Sequence, residues 1–423
     1  MIKLYNFDEL RPEEILNRDI RAEKNVEDVV DGIIAEVRAR GDEALKEYAL
    51  KFDGAKIDDL QVTQAEIDEA FANMDPYFRE TLREAAANIE SFHRQQVHKN
   101  FVINEKPGIV LGQKYTPIEK AGVYVPGGTA AYPSTVLMDV IPAKVAGVSE
   151  IVMTTPAGKD GRVNPVILAA AATAGVTKIF KTGGAQAVAA LAYGTIPAVD
   201  KIVGPGNIYV ATAKRKVFGK VGIDMIAGPS EILVLADGGC NPAWVAADLL
   251  SQAEHDKLAS PVLVTDSPAL ARAVQAELEV QIPQLPRAAI ARASVDDNGK
   301  IIVCTDLHKA IEACNIIAPE HLEVCVEDPF GVLNEIKNAG SIFLGRNVPE
   351  ALGDYFAGPN HTLPTSGTAR FSSPLGVDDF VKKSSFLYYT REALGEVAPR
   401  IADFAEREGL HAHAKSVTIR YEK

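Results

Sequence analysis

The first hundred residues alternate apolar and polar positions with the period of amphipathic helices. Thr63 followed by Glu66 has the form of a capping box, and Asp75-Pro76 has the form of a helix start. We therefore predict an N-terminal helical region over residues 1–107. Apolar residues recur at helical spacing on one face near its beginning: Val29, Val30, Ile33, Ile34 and Val37.

From about Gly108 the pattern changes to short β-branched runs that alternate with helical segments. The first series of runs is GVYV, EIVMTT, KIFKT, KIVG and EILVLAD; the second, after Asn241, is PVLVTD, KIIVCT, LEVCV and SIFLG. This alternation is typical of parallel sheets with crossover helices. We predict an α/β fold with two Rossmann-like parallel-sheet domains, residues 108–236 and 237–377. A small C-terminal tail, residues 378–423, is predicted to be helical and then extended through SVTIRYEK.

Composition narrows the class of protein. The chain has 423 residues, of which 47% are hydrophobic, and this length favours more than one domain. A net charge of −13 argues against a nucleic-acid partner and suggests no membrane surface. The longest apolar stretch, Val166 to Val176, is too short to cross a bilayer, and the acidic start lacks a signal peptide's apolar segment. The four cysteines form no CxxC pair and no zinc spacing, which favours a reducing cytoplasm.

Glycine-rich turns lie next to several predicted strand ends: VPGGTAAYPS, TGGAQA, GPGN and AGPSE. Ligands of open α/β sheets bind at the carboxyl ends of strands, where glycine lets backbone N–H groups approach a phosphate. None of the four turns matches GxGxxG followed by an acidic residue. Each alone is best explained as a tight turn, whereas four of them in one half of the chain give some support to a nucleotide or phosphate site.

An apolar helix that starts at Asn241-Pro242 ends in the polar sequence DLLSQAEHD. In this sequence Gln252 and His255 lie three residues apart and are neighbours on one face. A buried helix must satisfy both side chains, either by hydrogen bonds or by a metal ion. Spacing alone favours the hydrogen-bonded helix end, and the metal site remains the alternative.

Glu320 and His321 stand side by side in IIAPEHLEV, after a proline that can start a turn or a helix. They are two candidates for general acid/base chemistry, but adjacent side chains of a helix reach different places. For an isolated pair of this kind, a loop with two solvated residues is the better explanation.

Two further segments carry polar residues that suit a site. The long stretch from Gly353 to Gly376, which is predicted to be an ordered loop, holds Asp354, His361 and Arg370. The C-terminal EREGLHAH holds Glu408, His411 and His413, for which an exposed tail is the simpler explanation.

Taken together, these segments resemble the histidinol dehydrogenase family from about Gly122 to Thr418, in the family's order. The resemblance rests on GGAQAVAALAYGT, DKIVGPGN, IDMIAGPSEILVLAD, LLSQAEHD, APEHLEV and GPNHTLPTSGTARFSSPLGVDDF. The first hundred residues fit the family mainly by length and helical character. The family oxidises L-histidinol to L-histidine through a bound aldehyde, in the last two steps of histidine biosynthesis. It reduces two NAD molecules and uses one zinc ion per subunit.

The resemblance implies a role for individual residues. Glu320 and His321 match the catalytic pair: His321 would take the hydroxyl proton as hydride leaves, and Glu320 would activate the water that hydrates the aldehyde. The implied zinc ligands are Gln252, His255, Asp354 and His413. The implied substrate contacts are these four residues with His321, Ser230 and Glu408. The implied NAD contacts are Tyr124, Gln186 and Asn207.

The resemblance also implies a homodimer in which the C-terminal tail reaches the partner's active site, so that Glu408 and His413 would act in trans. Three other functions stay open: a zinc- and NAD-dependent dehydrogenase of another small polyol, such as a sulfonated diol, a zinc hydrolase, and a non-catalytic metal-binding protein. Ser230 and Glu408 favour histidinol as the substrate. A hydrolase would need zinc-bound water and no NAD, and the Glu320-His321 pair argues against a non-catalytic protein.

Overall fold

The computed structural model describes residues 1–10, 24–127 and 131–422. The chain divides into two compact units, a first unit of residues 1–96 and 118–380 and a second unit of residues 97–117 and 381–423. None of the described helices is long and apolar enough to cross a membrane.

The strands and helices of the described residues are numbered in chain order. The strands are β1 (Lys3–Asn6), β2 (Phe101–Ile103), β3 (Ile109–Pro117), β4 (Lys120–Tyr124), β5 (Glu150–Thr155), β6 (Lys178–Lys181), β7 (Lys201–Val203), β8 (Gly222–Ile223), β9 (Glu231–Ala236), β10 (Ser260–Thr265), β11 (Lys300–Val303), β12 (His321–Cys325), β13 (Ser341–Leu344) and β14 (Val381–Tyr389). The helices are α1 (Lys24–Arg40), α2 (Asp42–Tyr48), α3 (Gln64–Ala72), α4 (Pro76–Arg94), α5 (Pro133–Ala146), α6 (Pro165–Ala174), α7 (Gly184–Tyr193), α8 (Ile208–Val217), α9 (Pro242–Ala253), α10 (Pro268–Gln281), α11 (Ala288–Asp297), α12 (Leu307–Ile317), α13 (Pro329–Val332), α14 (Glu350–Leu352), α15 (Arg391–Arg407) and α16 (His411–Thr418).

The first unit contains two parallel sheets, which confirms the predicted α/β fold with two Rossmann-like sheets. One sheet has the order β6-β5-β4-β7-β8 and the other has the order β1-β11-β10-β9-β12-β13, within the described residues. β4 lies inside the first sheet and β9 inside the second. The strands that follow β4 or β9 in the chain are added first on one side of it and then on the other, so the strand order reverses between β4 and β7 and again between β9 and β12. Such reversals open a crevice at the carboxyl ends of the strands, where ligands of this architecture usually bind.

The N-terminal helices cover the first sheet rather than forming a separate body. The predicted capping box at Thr63 and the helix start at Asp75 are both present. Ile33 of α1 packs in one apolar core with Leu191 of α7, and Ile89 of α4 packs in another with Ile141 of α5. Each fully buried side chain of this size stabilises the fold by roughly 2 kcal/mol.

Two strands lie in a different sheet from the one their sequence position suggested. β9 was expected to close the first domain at residue 236, but it pairs with β10 and β12 at the centre of the second sheet. β1 lies within the region expected to be helical, and it pairs with β11 at the edge of that same sheet. A uniformly buried apolar run such as β9 fits the middle of either sheet, so its pattern could not decide between them.

The second unit joins segments from three of the predicted regions: the N-terminal helical region, the first sheet domain and the C-terminal tail. β14 pairs with β3, and β3 with β2, in an antiparallel sheet, and α15 and α16 follow β14. The final SVTIR segment, which was predicted to be extended, is helical through Tyr421.

Candidate functional site

A buried polar cluster lies at the amino ends of β9 and β12. His321 opens β12 opposite Ile232 of β9, and Glu231 opens β9. α9 follows β9 and runs back along the sheet, so its last turn brings Gln252 to the same edge. The cluster therefore lies at the edge opposite to the one where ligands of α/β sheets usually bind.

The side chains of Glu320 and His321 lie next to each other. This differs from the expectation that they would reach different places. His321 Nδ1 lies 2.9 Å from the Glu231 carbonyl oxygen and 3.6 Å from Glu320 Oε2. A carbonyl oxygen only accepts, so Nδ1 carries a proton, and in the neutral imidazole the lone pair is on Nε2. His321 Nε2 is buried without a hydrogen-bond partner, with Asp354 Oδ1 at 3.4 Å.

Glu231, which was not among the predicted site residues, fixes the backbone around this pair. Its backbone N–H donates to Glu320 Oε2 at 2.9 Å, and its side chain accepts from the N–H groups of Glu320 and Ser366 at 3.3 and 2.9 Å. Ser366 and Ala318 are the non-glycine residues with positive φ in the described chain, at 57° and 50°. Backbone strain of this kind concentrates at functional sites, and here both strained residues flank the pair.

Gln252 and His255, the two residues at the end of α9, have different partners. Gln252 is 1% exposed and donates from Nε2 to Glu350 Oε1 at 2.6 Å, while its Oε1 has no hydrogen-bond partner. Burial lowers the pKa of His255, which keeps its imidazole neutral at neutral pH, and neutral imidazole is the form that binds metals. Asp354 and His321 are both close enough to His255 to influence its charge.

The long loop is ordered in the described chain and brings two of its three polar residues to the cluster. Asp354 faces His321, and the Asp354 carbonyl oxygen lies 3.0 Å from His361 Nδ1. Arg370 donates instead to the carbonyl oxygen of Ile316 in the last turn of α12, which is a structural contact.

The cluster carries more acidic groups than basic ones. Burial raises the pKa of Glu320 to about 8 and that of Glu350 to about 8. Burial alone would lower the pKa of His321, but Glu320 and Asp354 outweigh it and raise the pKa to about 10. Without a cation, the cluster therefore lowers its negative charge by holding protons.

A divalent cation fits this cluster. Candidate ligand atoms of His321, Glu350 and Asp354 lie within 4.8 Å of one another. Gln252 donates from Nε2 to Glu350, and its buried Oε1, which has no hydrogen-bond partner, could supply a further oxygen. The donors are nitrogen and oxygen, and all four described cysteines are free and buried elsewhere. Such a donor set suits zinc with open positions for a substrate.

A pair of buried carboxyl groups lies behind the cluster and was also missed. Glu323, in the middle of β12, lies close enough to Asp248 of α9 to interact with its charge, and burial raises the pKa of Glu323 to about 9. Glu323 Oε1 also accepts the N–H of Glu350 at 2.7 Å. The only signal in the sequence was a carboxylate inside an otherwise apolar strand.

The predicted NAD contacts lie at the carboxyl edge of the first sheet, on both sides of its reversal point. Tyr124 ends β4, and its hydroxyl accepts the N–H of Gly184 at 3.1 Å in the turn that also carries the buried Gln186. Asn207 precedes α8 and caps it through Oδ1, which accepts from the N–H of Tyr209 at 3.1 Å and of Val210 at 3.2 Å.

Glycine is required where the GPGN turn passes the end of β4. Gly204 has a φ of 113°, and a Cβ there would lie 2.2 Å from the Tyr124 carbonyl oxygen. The Gly204 backbone is held in turn by a buried ion pair, because its N–H donates to Asp224 at 2.8 Å and its carbonyl accepts from Lys214 at 2.9 Å.

Direct hydrogen bonds link this edge to the loop of the polar cluster. Asp139 of α5 accepts from the Thr362 hydroxyl at 2.7 Å, and the Met138 carbonyl accepts from Asn360 at 2.6 Å. A cavity of about 670 Å³ also opens beside the carboxyl edge, between the β4 and β5 turns and the N-terminal helices. Its lining includes Gly127 and Pro156 but not the three predicted NAD contacts.

The remaining predicted residues occupy two places. Ser230 immediately precedes Glu231 at the edge of the polar cluster, and its carbonyl accepts the N–H of Ser260 at 3.0 Å. Glu408 ends α15 and His413 lies in α16, both exposed in the second unit.

Comparison with known proteins gives a consistent result. A family model described as Histidinol dehydrogenase matches residues 16–421. The histidinol dehydrogenase of Listeria monocytogenes serovar 1/2a is 55% identical over 418 residues, 97% of each chain. That of Bacillus subtilis strain 168 is 58% identical over 393 residues, 92% of each chain. The crystal structure of histidinol dehydrogenase from Elizabethkingia anophelis is similar with a TM-score of 0.95 and 38% identity, over 99% of this chain and 98% of that one.

Proposed function

Because the chain belongs to the histidinol dehydrogenase family, and is therefore an oxidoreductase, we propose that it oxidises L-histidinol to L-histidine through L-histidinal, with NAD and one zinc ion per subunit. The observation that carries the proposal is the buried cluster in which the Glu320-His321 pair meets Gln252, His255 and Asp354. Membership in a family of oxidoreductases argues against a zinc hydrolase and against a non-catalytic protein. Another small polyol as substrate is the alternative that the assay below must exclude.

Three residues of the cluster would hold zinc: Gln252 through its free Oε1, His255 through its neutral imidazole, and Asp354 through its carboxylate. The fourth ligand would be His413 of a second subunit. When bound, zinc would orient the substrate's nitrogen atoms and stabilise negative charge next to them.

His321 would take the proton of the substrate hydroxyl at Nε2, and NAD, when bound, would supply the hydride acceptor. The Glu231 carbonyl holds one proton on Nδ1, so Nε2 would be the acceptor of the neutral ring. A cation bound at the cluster would favour the neutral ring, because it offsets the negative charge of Glu320 and Asp354 that raises the pKa of His321. His321 Nε2 lies 3.4 Å from Asp354 Oδ1, which places the base next to a metal ligand.

Glu320 would activate the water that hydrates the aldehyde. Its Oε2 accepts the Glu231 N–H, and burial raises its pKa to about 8. A pKa near the pH at which the enzyme works suits a general base. A route through a cysteine thiohemiacetal is disfavoured, because all four thiols are buried, and burial raises the pKa of Cys304 to about 12.

NAD would bind at the carboxyl edge of the first sheet. Burial raises the pKa of the Tyr124 phenol to about 12, so its hydroxyl stays protonated and can donate a hydrogen bond. Gln186 and the amide nitrogen of Asn207 would supply further polar contacts. The hydrogen bonds that Asp139 and Met138 accept from the 353–376 loop would hold this edge of the sheet in a fixed position relative to the loop, which also carries Asp354.

The four unpaired thiols suit a cytoplasmic enzyme.

The proposal is tested by measuring NADH absorbance after mixing the protein with L-histidinol and NAD. We expect two NADH per L-histidinol consumed, loss of turnover after chelation, and recovery when zinc is added back. A sulfonated diol assayed in parallel is the control for substrate class. Turnover of the diol with no turnover of L-histidinol would contradict the proposal.

We propose that Glu408 and His413 complete the active site of the other subunit in a homodimer. Inactive His321→Ala protein mixed with inactive His413→Ala protein should then regain activity, because a heterodimer has one site in which both residues are intact. About a quarter of the wild-type rate is the upper limit if subunits redistribute at random, since half of the dimers are mixed and each has one complete site. No recovery in heterodimers shown to form would count against action in trans.

A further inference from the structure

The side-chain amide of Gln252 is held from one side only. Its Nε2 donates to Glu350 Oε1 at 2.6 Å, and its Oε1 is buried with no hydrogen-bond partner. A buried carbonyl oxygen left unpaired is unfavourable, so this oxygen needs a partner.

The carboxylate of Glu350 determines which end of the amide faces the cluster. With a cation bound at the cluster, Glu350 needs no proton to offset its negative charge, and as a carboxylate it only accepts hydrogen bonds. A flipped amide would then set its oxygen against a carboxylate oxygen at hydrogen-bond distance. With Glu350 in place, the nitrogen faces Glu350 and the oxygen is left for another partner. Glutamine is an uncommon zinc ligand, and it binds through oxygen only if its amide is oriented in this way.

Glu350 is itself fixed by two further hydrogen bonds. The Ser251 hydroxyl lies 2.8 Å from its Oε2, and the Glu350 N–H donates to Glu323 Oε1 at 2.7 Å. Groups that hold a metal ligand in this way change metal affinity by about 10- to 100-fold when they are removed.

We propose that Glu350 is the positioning residue for the Gln252 ligand and presents its amide oxygen to the metal. This inference rests on the zinc site of the proposed function. The competing role for Glu350 is that of a direct ligand, since its oxygens lie within 4.8 Å of ligand atoms of His321 and Asp354. Positioning is favoured because its two oxygens already face Gln252 and Ser251.

The test is a double-mutant cycle in the full-length protein, with zinc affinity measured by competition against a chelator. Glu350→Leu should weaken zinc binding about 10- to 100-fold, because leucine cannot accept the amide hydrogen bond. Glu350→Gln should recover most of that loss, since its own amide oxygen still accepts from Gln252. In the Gln252→Ala background, Glu350→Leu should cause no further loss.

Each other outcome has one meaning. Losses that add in the double variant, or a Glu350→Gln protein as weak as Glu350→Leu, would show that Glu350 acts as a ligand, by its charge or through Asp354, and would overturn the inference alone. Unchanged zinc affinity in Gln252→Ala would overturn the proposed ligand set and the inference with it. If Glu350→Leu does not fold, Ser251→Ala serves instead: a smaller loss that vanishes in the Gln252→Ala background supports positioning, and one that persists there opposes it.

Discussion

Replacing His255 with alanine should produce a folded protein that binds zinc more than about 100-fold more weakly, a larger loss than removal of a supporting residue causes. The lowered pKa keeps the imidazole neutral, and the ring lies close enough to Asp354 to interact with its charge, so its removal takes away the nitrogen ligand that this chain would supply just after α9. Oxidation of L-histidinol should fall to the level of the chelated wild type. Metal analysis after gel filtration and the NADH assay check the two parts separately.

The matched control is Glu254→Gln, which changes the residue next to His255 in the same final turn. Glu254 caps the C-terminus of α9 and is partly exposed. This variant should keep its zinc and its turnover. A His255→Ala protein that keeps full zinc content would refute the assignment of this histidine to the metal.

Replacing His321 with alanine should lower turnover about 10²- to 10⁴-fold while zinc remains bound. The variant removes the buried Nε2 that accepts the substrate proton but leaves Gln252, His255 and Asp354 in place. Thermal unfolding and zinc content should therefore stay close to those of the wild type, whereas the rate of NADH formation collapses.

His308→Ala is the control for the loss of an imidazole, because His308 is exposed and its ring pairs with Glu335 away from the site. It should retain both turnover and zinc. If His321→Ala keeps more than a tenth of the wild-type turnover, another group must accept the proton.

Local sequence rules predicted the elements well but not their assignment to sheets. The capping box at Thr63 and the helix start at Asn241-Pro242 are local chemistry, readable within a few residues, and both are present. The sheet that β9 joins is decided by pairing with β10 and β12, which come later in the chain. Its apolar run carries no mark of which neighbours it will meet.

The candidate site was predicted from a family resemblance rather than from residue spacing. Spacing alone favoured a hydrogen-bonded end for α9 and a solvated Glu320-His321 pair. Glu350 follows Val348-Pro349 and looks like an ordinary acidic first turn of a short helix, so nothing in the sequence marks it as buried. Its contact with Gln252 spans 98 positions of the chain and exists only after folding.

The placement of His321 at the start of a strand has a consequence for the energetics of substrate binding. β12 is hydrogen-bonded to β9 on one side and to β13 on the other, so the backbone of the base is fixed when the sheet forms. The conformational entropy of ordering this side chain is therefore lost during folding and not during the encounter with substrate. Binding free energy that a mobile loop would use to order its own base stays available to hold the substrate against Nε2.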